Sequence, residues 1–338
     1  MPGILRIRQA GPGVTVQDHG RPGYLAQGLS QGGAADFFAL AEGAALLGQQ
    51  PGLAALEMAG FGGVFEVTEP CRVALTGAPM RAMRDGETLA WNTSHALLPG
   101  QQLGIGAAGR GVYGYLSVGG GIDTEPLMGS RATHLTGGVG APLREGDQLP
   151  IGPDPQPDVI GMTLDIEDRF SGGTLRVVPS AQTFRFSDDM RARFEETAFT
   201  RDTRGTRQGV RMVFDGAAFA TDDQLTILSE VIVPGDIQVT GDGTPFVLLP
   251  ESQTTGGYPR IGTVIPDDLP KVAQAAPGTP IRFTFISLDE AVATGRRTKA
   301  ALAALPGQVR PLVRAPHDIS DLLSYQLISG VTAGTDHD

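Results

Sequence analysis

The segment "PGTPIRFTF" (residues 277–285) places a glycine turn directly before a short apolar run. Its isoleucine and two phenylalanines alternate with arginine and threonine, which is the two-residue period of a half-buried β-strand. The same order of turn and apolar run recurs in "PGQQLGIG" (99–106) and "EGDQLPIG" (145–152). Together with 48 glycines and 25 prolines spread along the chain, this pattern predicts a mainly β protein with many short strands and barrel-like architecture.

Helices are predicted in only three segments, at 36–48, 187–199 and 288–305. The first begins at Asp36, a favourable N-cap, and the second begins at Ser187 with acidic residues in its first turn. The proline-rich stretch "PIGPDPQPDVIGM" is typical of a linker between two β domains. The predicted organisation is an N-terminal β domain (1–152), a linker (153–173), a C-terminal β domain (174–288), and a C-terminal helix and tail (289–338) with an amphipathic docking segment at 314–331.

The composition of the 338 residues excludes several classes of protein. The net charge is −11 without any cluster of lysine and arginine, which argues against a nucleic-acid surface. No apolar run reaches the ~18 residues of a membrane span, and the single cysteine cannot form an internal disulfide, so we expect a cytoplasmic protein without membrane contact. The five histidines are too widely spaced to indicate a metal site. With only two lysines, the chain has neither a G-x-x-x-x-G-K-[ST] phosphate loop nor a Met-Lys-Met site for covalent biotin.

A small charged set lies in the glycine-rich stretch "TVQDHGRPGYLAQGLSQGGAAD" (15–36). Asp18 and Arg21 lie within a tight turn, and Asp36 caps the helix that follows. A loop so constrained favours a polar site that brings two carboxylates and a guanidinium group toward one point. The simpler alternative is that the glycines only shape hairpins and Asp36 only caps its helix.

Arginines are concentrated in "TRGTRQGVRMVF" (203–214), where Arg204, Arg207 and Arg211 follow at spacings of three and four. The guanidinium fork binds carboxylate and phosphate bidentately, so this block is a candidate anion site. Its glycines favour a turn over a helix, and a solvated charge run paired with nearby acids is the alternative. Arg131, within "MGSRAT", is a further candidate anion contact.

A polar loop, "SQTTGGYP" (252–259), follows the apolar strand "PFVLLPE". Gly257 permits close approach of the backbone, and Gln253 and Thr254 offer neutral donors and acceptors. Such a loop suits an amide, a carboxylate or a phosphate. The alternative is a hairpin with Tyr258 packed beneath it.

Taken together, four blocks resemble the family known as allophanate hydrolase subunit 2, KipA or the C subunit of 5-oxoprolinase (PxpC). They occur in the family's order over most of residues 4–287: "QDHGRPGYLAQGLSQGGAAD", "YLSVGGGID" with "MGSRAT", "RQGVRM", and "LSEVIVPGDIQVTGDGTPFVLLPESQTTGGYPRIGTVIPDDLPKVAQ". Two departures put substrate contacts at positions 206 and 252 in doubt. The family's Asp-Arg-Met-Gly reads "TRQG" at 206–209, and its Asp-Arg-Gln-Thr-Thr reads "ESQTT" at 251–255.

The resemblance implies two tandem cyclophilin-like β-barrel domains with a few short helices. It also implies a complex with a KipI-like (PxpB-like) subunit, to which a PxpA-like subunit is a possible addition. The leading hypothesis is the C subunit of an ATP-dependent 5-oxoprolinase, which hydrolyses the lactam 5-oxoproline to glutamate. On this hypothesis ATP binds this chain or its partner, and the chain is inactive alone.

In this hypothesis arginines steady the charge that develops when the lactam oxygen is phosphorylated. Arg207, Arg211 and Arg131 are the candidates for that role. Asp18 and Glu230 are the candidates for proton transfer. The remaining substrate contacts implied are Gln253 and Thr254, which would orient the amide, together with Arg21, Gly257 and Tyr258.

Two other functions stay open at this point. One is carboxyl transfer from carboxybiotin to urea or another amide, which would need a separate biotin carrier because this chain has no biotin site. The other is a non-catalytic antagonist of a KipI-like kinase inhibitor. Allophanate hydrolysis itself is disfavoured, because two lysines and no Ser-Ser-Lys set leave no amidase site.

Overall fold

The computed structural model describes residues 3–221 and 228–313. Within these residues no helix is long and apolar enough to cross a membrane. The amphipathic segment predicted at 314–331 lies outside the described residues.

The first half of the chain forms two antiparallel sheets around one apolar core. Its strands are β1 (Ile4–Ala10), β2 (Thr15–Gln17), β3 (Ala55–Ala59), β4 (Phe61–Val67), β5 (Cys71–Gly77), β6 (Met80–Arg84), β7 (Glu87–Leu89), β8 (Thr93–Leu97), β9 (Leu103–Ala108), β10 (Tyr113–Val118), β11 (Gln148–Pro150) and β12 (Met162–Thr163). One sheet has the order β11-β1-β4-β9-β6-β7, and the other runs β2-β3-β10-β5-β8-β12 before ending on a short strand from the C-terminal region. The core takes residues from both sheets, among them Ile7, Phe65, Leu75 and Leu116.

Among the described residues the sheets of the first half do not form a closed ring. Closure requires every strand to have a neighbour on each side, whereas β7 and β11 each pair on one side only among the described residues. The first half is therefore a pair of packed sheets.

The second half does close into a ring. Its strands are β13 (Gly173–Val178), β14 (Phe199–Arg201), β15 (Gly209–Val213), β16 (Glu230–Val231), β17 (Asp236–Val239), β18 (Pro245–Leu248), β19 (Thr255–Gly256), β20 (Arg260–Val264) and β21 (Pro280–Phe285). Seven of them form a closed barrel in the order β13-β20-β17-β18-β15-β14-β21, and β16 pairs separately with β19.

The strand β21 confirms the two-residue period read from its sequence. Ile281 and Phe283 are 1% exposed and point into the barrel core, whereas Arg282 is exposed. Phe283 stacks there on Phe194, with ring centroids 4.8 Å apart. Strand β21 pairs with β13 in parallel and so closes the ring against the first strand of this half.

The helices are α1 (Phe37–Leu46), α2 (Asp188–Glu196), α3 (Leu269–Gln274) and α4 (Leu288–Ala304). The three predicted helices are confirmed together with the predicted caps: Asp36 accepts a hydrogen bond from the backbone of Ala39, and Ser187 accepts one from Met190. The six-residue α3 was not predicted, because its short sequence begins among prolines and contains no full apolar repeat.

The predicted linker, 153–173, is packed against the first half as part of the fold. Its strand β12 pairs with β8, and Phe170 is buried. Arg169 donates from Nε to Asp36 (2.6 Å) and from Nη2 to Glu42 (2.7 Å). A buried guanidinium held by two carboxylates fixes this segment on α1.

The two halves share structure along their junction. Strand β22 (Arg310–Pro311), which follows α4, pairs with β12 and returns the chain to the first half. The barrel core also includes Ala39 and Tyr115 from the first half. Gln274 of α3 donates to Asp36 across the junction (2.8 Å). The halves therefore form one packed unit.

Candidate functional site

The glycine-rich loop after β2 folds back on itself and is tied to a second loop by Asp18. Oδ1 of Asp18 accepts hydrogen bonds from the backbone of Gly20 (2.7 Å) and the hydroxyl of Ser130 (2.6 Å), and Oδ2 accepts one from the backbone of Arg131 (2.7 Å). At Gly33 φ is +84°, and a Cβ would lie 2.7 Å from the nitrogen of Gly20. The close path of the loop therefore requires glycine there, and Asp18 is the cross-link that holds the path.

Arg21 belongs to this loop and is 1% exposed. Its Nη2 donates to the carbonyl of Ala132, whereas Nε and Nη1 have no hydrogen-bond partner among the described residues. Burial lowers the pKa of Arg21, and the charges of Asp18 and Glu251 oppose that fall. Two unused donors on a buried guanidinium group can each donate to a further oxygen acceptor.

Arg207 reaches from the turn before β15 across the junction between the halves. Its Nε donates to Glu251 (2.5 Å), its Nη1 pairs with Glu57, and its Nη2 donates to the carbonyl of Gly33 (2.5 Å). Burial lowers the pKa of Arg207, but the charges of Glu57 and Glu251 outweigh burial and the pKa is raised overall. Arg207 thus stays charged and joins the glycine-rich loop, strand β3 and the end of the barrel strand β18.

Glu57 connects this arginine to the start of α1. Its Oε2 accepts hydrogen bonds from the backbone of Ala35 (2.8 Å) and the hydroxyl of Tyr115 (2.5 Å). The same hydroxyl accepts a bond from the backbone of Asp36 (2.8 Å). Burial, and then the charge of Glu57, raises the pKa of Tyr115 well above its usual value, so the phenol remains a donor.

His134 lies next to Glu251 on the first-half side and is buried. Its Nδ1 accepts a hydrogen bond from the backbone of Gly137 (2.9 Å), so the proton of the neutral ring is on Nε2, which donates to Ser30 (2.9 Å). Nδ1 stands 3.9 Å from Oε2 of Glu251. Burial lowers the pKa of His134 against the opposing charge of Glu251, which favours the neutral ring.

These contacts define a buried junction cluster, which contains Asp18, Arg21, Glu57, His134, Arg207 and Glu251. The structure brings together three of the predicted site residues here: Asp18, Arg21 and Arg207. Sequence reasoning missed the others. A glutamate within the apolar strand "ALEMA" was the available signal for Glu57, since an isolated carboxylate in a buried strand needs a partner.

Arg211 lies apart from the cluster. It projects from β15 and donates to Asp242 (2.9 Å) and Asp202 (3.5 Å), with its side chain a third exposed. Arg207 lies in a turn and Arg211 in a strand, and the two arginines share no hydrogen-bond partner among the described residues. The alternative weighed from sequence, a solvated charge run paired with acids, describes Arg211.

Glu230 on β16 also lies outside the cluster. Its half-exposed carboxylate accepts hydrogen bonds from Arg260 (2.5 Å) and Gln182 (2.8 Å). It shares no hydrogen bond or ion pair with the cluster among the residues that the structure describes. A proton-transfer role for Glu230 beside Asp18 is therefore not supported by their positions.

The remaining candidates are more exposed. Arg131 is a third exposed and pairs with Asp123 (2.5 Å). In the loop 252–259, Gln253 is exposed, Thr254 and Gly257 are half-buried, and Tyr258 is 46% exposed. Tyr258 is therefore available at the surface and is not packed beneath the loop.

The junction cluster can orient and hold charge, but it lacks a complete catalytic set. Its carboxylates accept bonds from arginines, backbone amides and hydroxyls, and no nucleophile stands beside a free base. Within residues 3–221 and 228–313 no group of histidine, cysteine and carboxylate side chains has the geometry of a metal site.

Comparison with known proteins gives a consistent picture. The family model described as "Carboxyltransferase domain, subdomain A and B" matches residues 27–285. The chain is 34% identical over 293 residues to the C subunit of 5-oxoprolinase from Escherichia coli (strain K12), covering 86% of this chain and 93% of that protein. It is 32% identical over 304 residues to the C subunit of 5-oxoprolinase from Haemophilus influenzae, covering 89% of this chain and 96% of that protein.

Among solved structures, the crystal structure of TTHA0988 superposes on this chain with a TM-score of 0.76 at 30% identity. The match covers 84% of this chain and 56% of TTHA0988, so the chain spans little more than half the length of that protein.

Proposed function

From the premise that this chain belongs to the carboxyltransferase-domain family, we propose that it is the C subunit of an ATP-dependent 5-oxoprolinase. The observation that carries the proposal is its similarity, over most of both chains, to two proteins of that name. The reaction proposed is hydrolysis of the lactam 5-oxoproline to glutamate. Assignment of both halves to the cyclophilin-like class and a cytoplasmic location are parts of the same proposal.

The chemistry explains why ATP is needed. Amide resonance makes direct attack of water on the lactam carbon slow. Transfer of the γ-phosphoryl group of ATP to the lactam oxygen releases ADP and activates the carbon. Water then adds, the C–N bond opens to an acyl phosphate, and a second water releases phosphate and glutamate. Charge develops on oxygen in each step, which is where fixed donors stabilise a transition state.

The junction cluster suits a supporting role in this sequence. Arg207 is held in one orientation by three acceptors, and Arg21 keeps two donors without a partner in the described residues. We assign to Arg21 the binding of a substrate oxygen and to Arg207 the positioning of the two loops above it. Asp18 already accepts three hydrogen bonds, so we assign it a positioning role as well, and the proton-transfer groups to the partner.

A KipI-like partner is part of the proposal, because residues 3–221 and 228–313 contain no complete catalytic set at the junction cluster. Large apolar side chains are exposed on the surface of the described residues, among them Leu127, Leu135, Phe184, Val231 and Tyr258. Exposed apolar and aromatic side chains of this kind are typical of protein interfaces. A PxpA-like subunit would complete the assembly, and ATP would bind the partner or its interface with this chain.

The test is an assay of ATP-dependent glutamate release from 5-oxoproline, with this chain alone, with a KipI-like subunit added, and with the complete mixture of this chain, a KipI-like subunit and a PxpA-like subunit. We expect turnover only in the mixture. Robust turnover by the chain alone would contradict the dependence on a partner, and no turnover in any combination would contradict the function.

The family description supports carboxyl transfer as a second candidate. It predicts that the assembled protein consumes carboxybiotin in the presence of urea or another amide. The same mixture, supplied with carboxybiotin and urea in place of ATP and 5-oxoproline, separates the two activities.

A further inference from the structure

A second site candidate lies where α1, the segment 165–169, α3 and α4 meet. A cleft of about 400 Å³ opens there, and no residue of the junction cluster lines it. Its volume falls in the range of small-molecule pockets, roughly 300–1,000 Å³. Its apolar lining comes from Phe38, Ile166, Pro270, Leu302 and Leu305.

One wall of the cleft carries three cationic side chains, two of which share one carboxylate. The buried Asp268 accepts hydrogen bonds from Arg176 (2.8 Å) and lies 3.1 Å from Nζ of Lys271. Thr294 accepts from Nη1 of Arg176 (3.4 Å) and Nη2 of Arg297 (2.8 Å). Lys271 and Arg297 therefore keep donors that no other described residue uses. This wall can receive a carboxylate.

Other parts of the lining supply unpaired negative charge. Glu167 and Asp267 both line the cleft, and neither has a hydrogen bond or ion pair with another described residue. Asp165, also in the lining, is already paired with Arg310 (2.8 Å). The cleft thus presents open groups of both signs around an apolar floor.

We propose that this cleft binds a free α-amino acid, with its carboxylate on Lys271 and Arg297 and its ammonium group on Glu167 and Asp267. The ligand proposed is L-glutamate, the product of the reaction, and this choice of amino acid rests on the proposed function. The second carboxylate of glutamate accepts hydrogen bonds from the remaining donors of the cationic wall. Because the lining comes from both halves and α4, occupancy holds these elements together.

The charges of the lining argue against a nucleotide in the same place. Six carboxylates and four cations line the cleft, so repulsion is greater for a polyphosphate than for glutamate, whose ammonium group offsets one of its two carboxylates. No metal-binding group exists among the described residues to offset that charge with a cation. A zwitterion satisfies both signs at once.

The test is calorimetric titration of the purified full-length chain with L-glutamate, with glutarate, which lacks the ammonium group, and with ADP. We expect L-glutamate to bind about tenfold more tightly than glutarate, the loss that accompanies removal of one charge-assisted contact. Arg297→Gln should weaken L-glutamate binding about tenfold, whereas Arg296→Gln, on the same helix but outside the cleft lining, should not change it.

Glu167→Gln gives an independent check on the ammonium contact. It should lower the ratio of the glutarate to the glutamate dissociation constant below that of the unmodified chain, because only Asp267 then remains to bind the ammonium group. Equal binding of glutamate and glutarate by the unmodified chain, tighter binding of ADP, or no heat with glutamate would each overturn the proposal. The measurement needs no catalysis, so a failed activity assay and a failed titration are separate results.

Discussion

Replacing Arg207 by glutamine should destabilise the protein far more than any surface substitution. Arg207 is 9% exposed, and its partners Glu57 and Glu251 are each 1% exposed. Removing the guanidinium group leaves two buried carboxylates without their cation, and breaking a buried pair in this way costs about 3–5 kcal/mol. For a chain of this size that loss lowers the melting temperature by roughly 5–15 °C.

Arg211→Gln is the matched control, because Arg211 has two acidic partners but lies at the surface. Its loss should cost about 0–1 kcal/mol, since exposed ion pairs are screened by water. Urea unfolding followed by circular dichroism measures both free energies of unfolding. Adding Glu251→Gln to Arg207→Gln should recover part of the loss by removing an unpaired buried charge. The reasoning is refuted if Arg207→Gln costs no more than Arg211→Gln.

Three further outcomes are expected. Burial lowers the pKa of His134 in the folded state, so below pH ~6.5 the unfolded chain binds the proton before the folded chain does. The free energy of unfolding should therefore decrease as the pH falls, by up to ~1.4 kcal/mol per pH unit. Urea titrations should show a smaller slope for His134→Asn than for the unmodified chain, and an unchanged slope for His19→Asn, whose histidine is exposed. Burial raises the pKa of Cys71 to about 11, so little thiolate is present in the folded chain at pH 8. A chromogenic disulfide reagent should therefore label the folded chain slowly and the denatured chain at once. Equal labelling rates would contradict the raised pKa. Asp18→Asn should lower both the melting temperature and the turnover of the assembled complex, because an amide cannot accept all three hydrogen bonds that Asp18 accepts. A loss of turnover at an unchanged melting temperature would instead support Asp18 as a base.

Local signals in the sequence were sufficient for strand β21 and for the longer helices. The alternation in β21 follows from the pleat of a single strand, and the caps at Asp36 and Ser187 depend on contacts three residues apart. Such features require no knowledge of distant residues, so they were predicted with the correct positions.

The junction cluster required contacts between residues far apart in the chain. Arg207 and Glu57 are separated by 150 positions, and no periodicity links them. The spacing of Arg204, Arg207 and Arg211 suggested a common partner, but the turn at Arg207 directs it away from the strand that carries Arg211. Whether the sheets of the first half close into a ring also depends on contacts between distant residues, because closure is decided by which strands pair and not by the composition of each strand.

The parallel contact of β13 with β21 has a consequence for how the protein is made. On the ribosome β13 emerges first and β21 last of the seven ring strands, so the ring cannot close until the whole second half has been translated. Until then the nascent chain carries an unpaired strand edge, the kind of surface that recruits chaperones or pairs with another chain. A transcript truncated before codon 280 would therefore yield a protein whose barrel stays open permanently, however complete its first half.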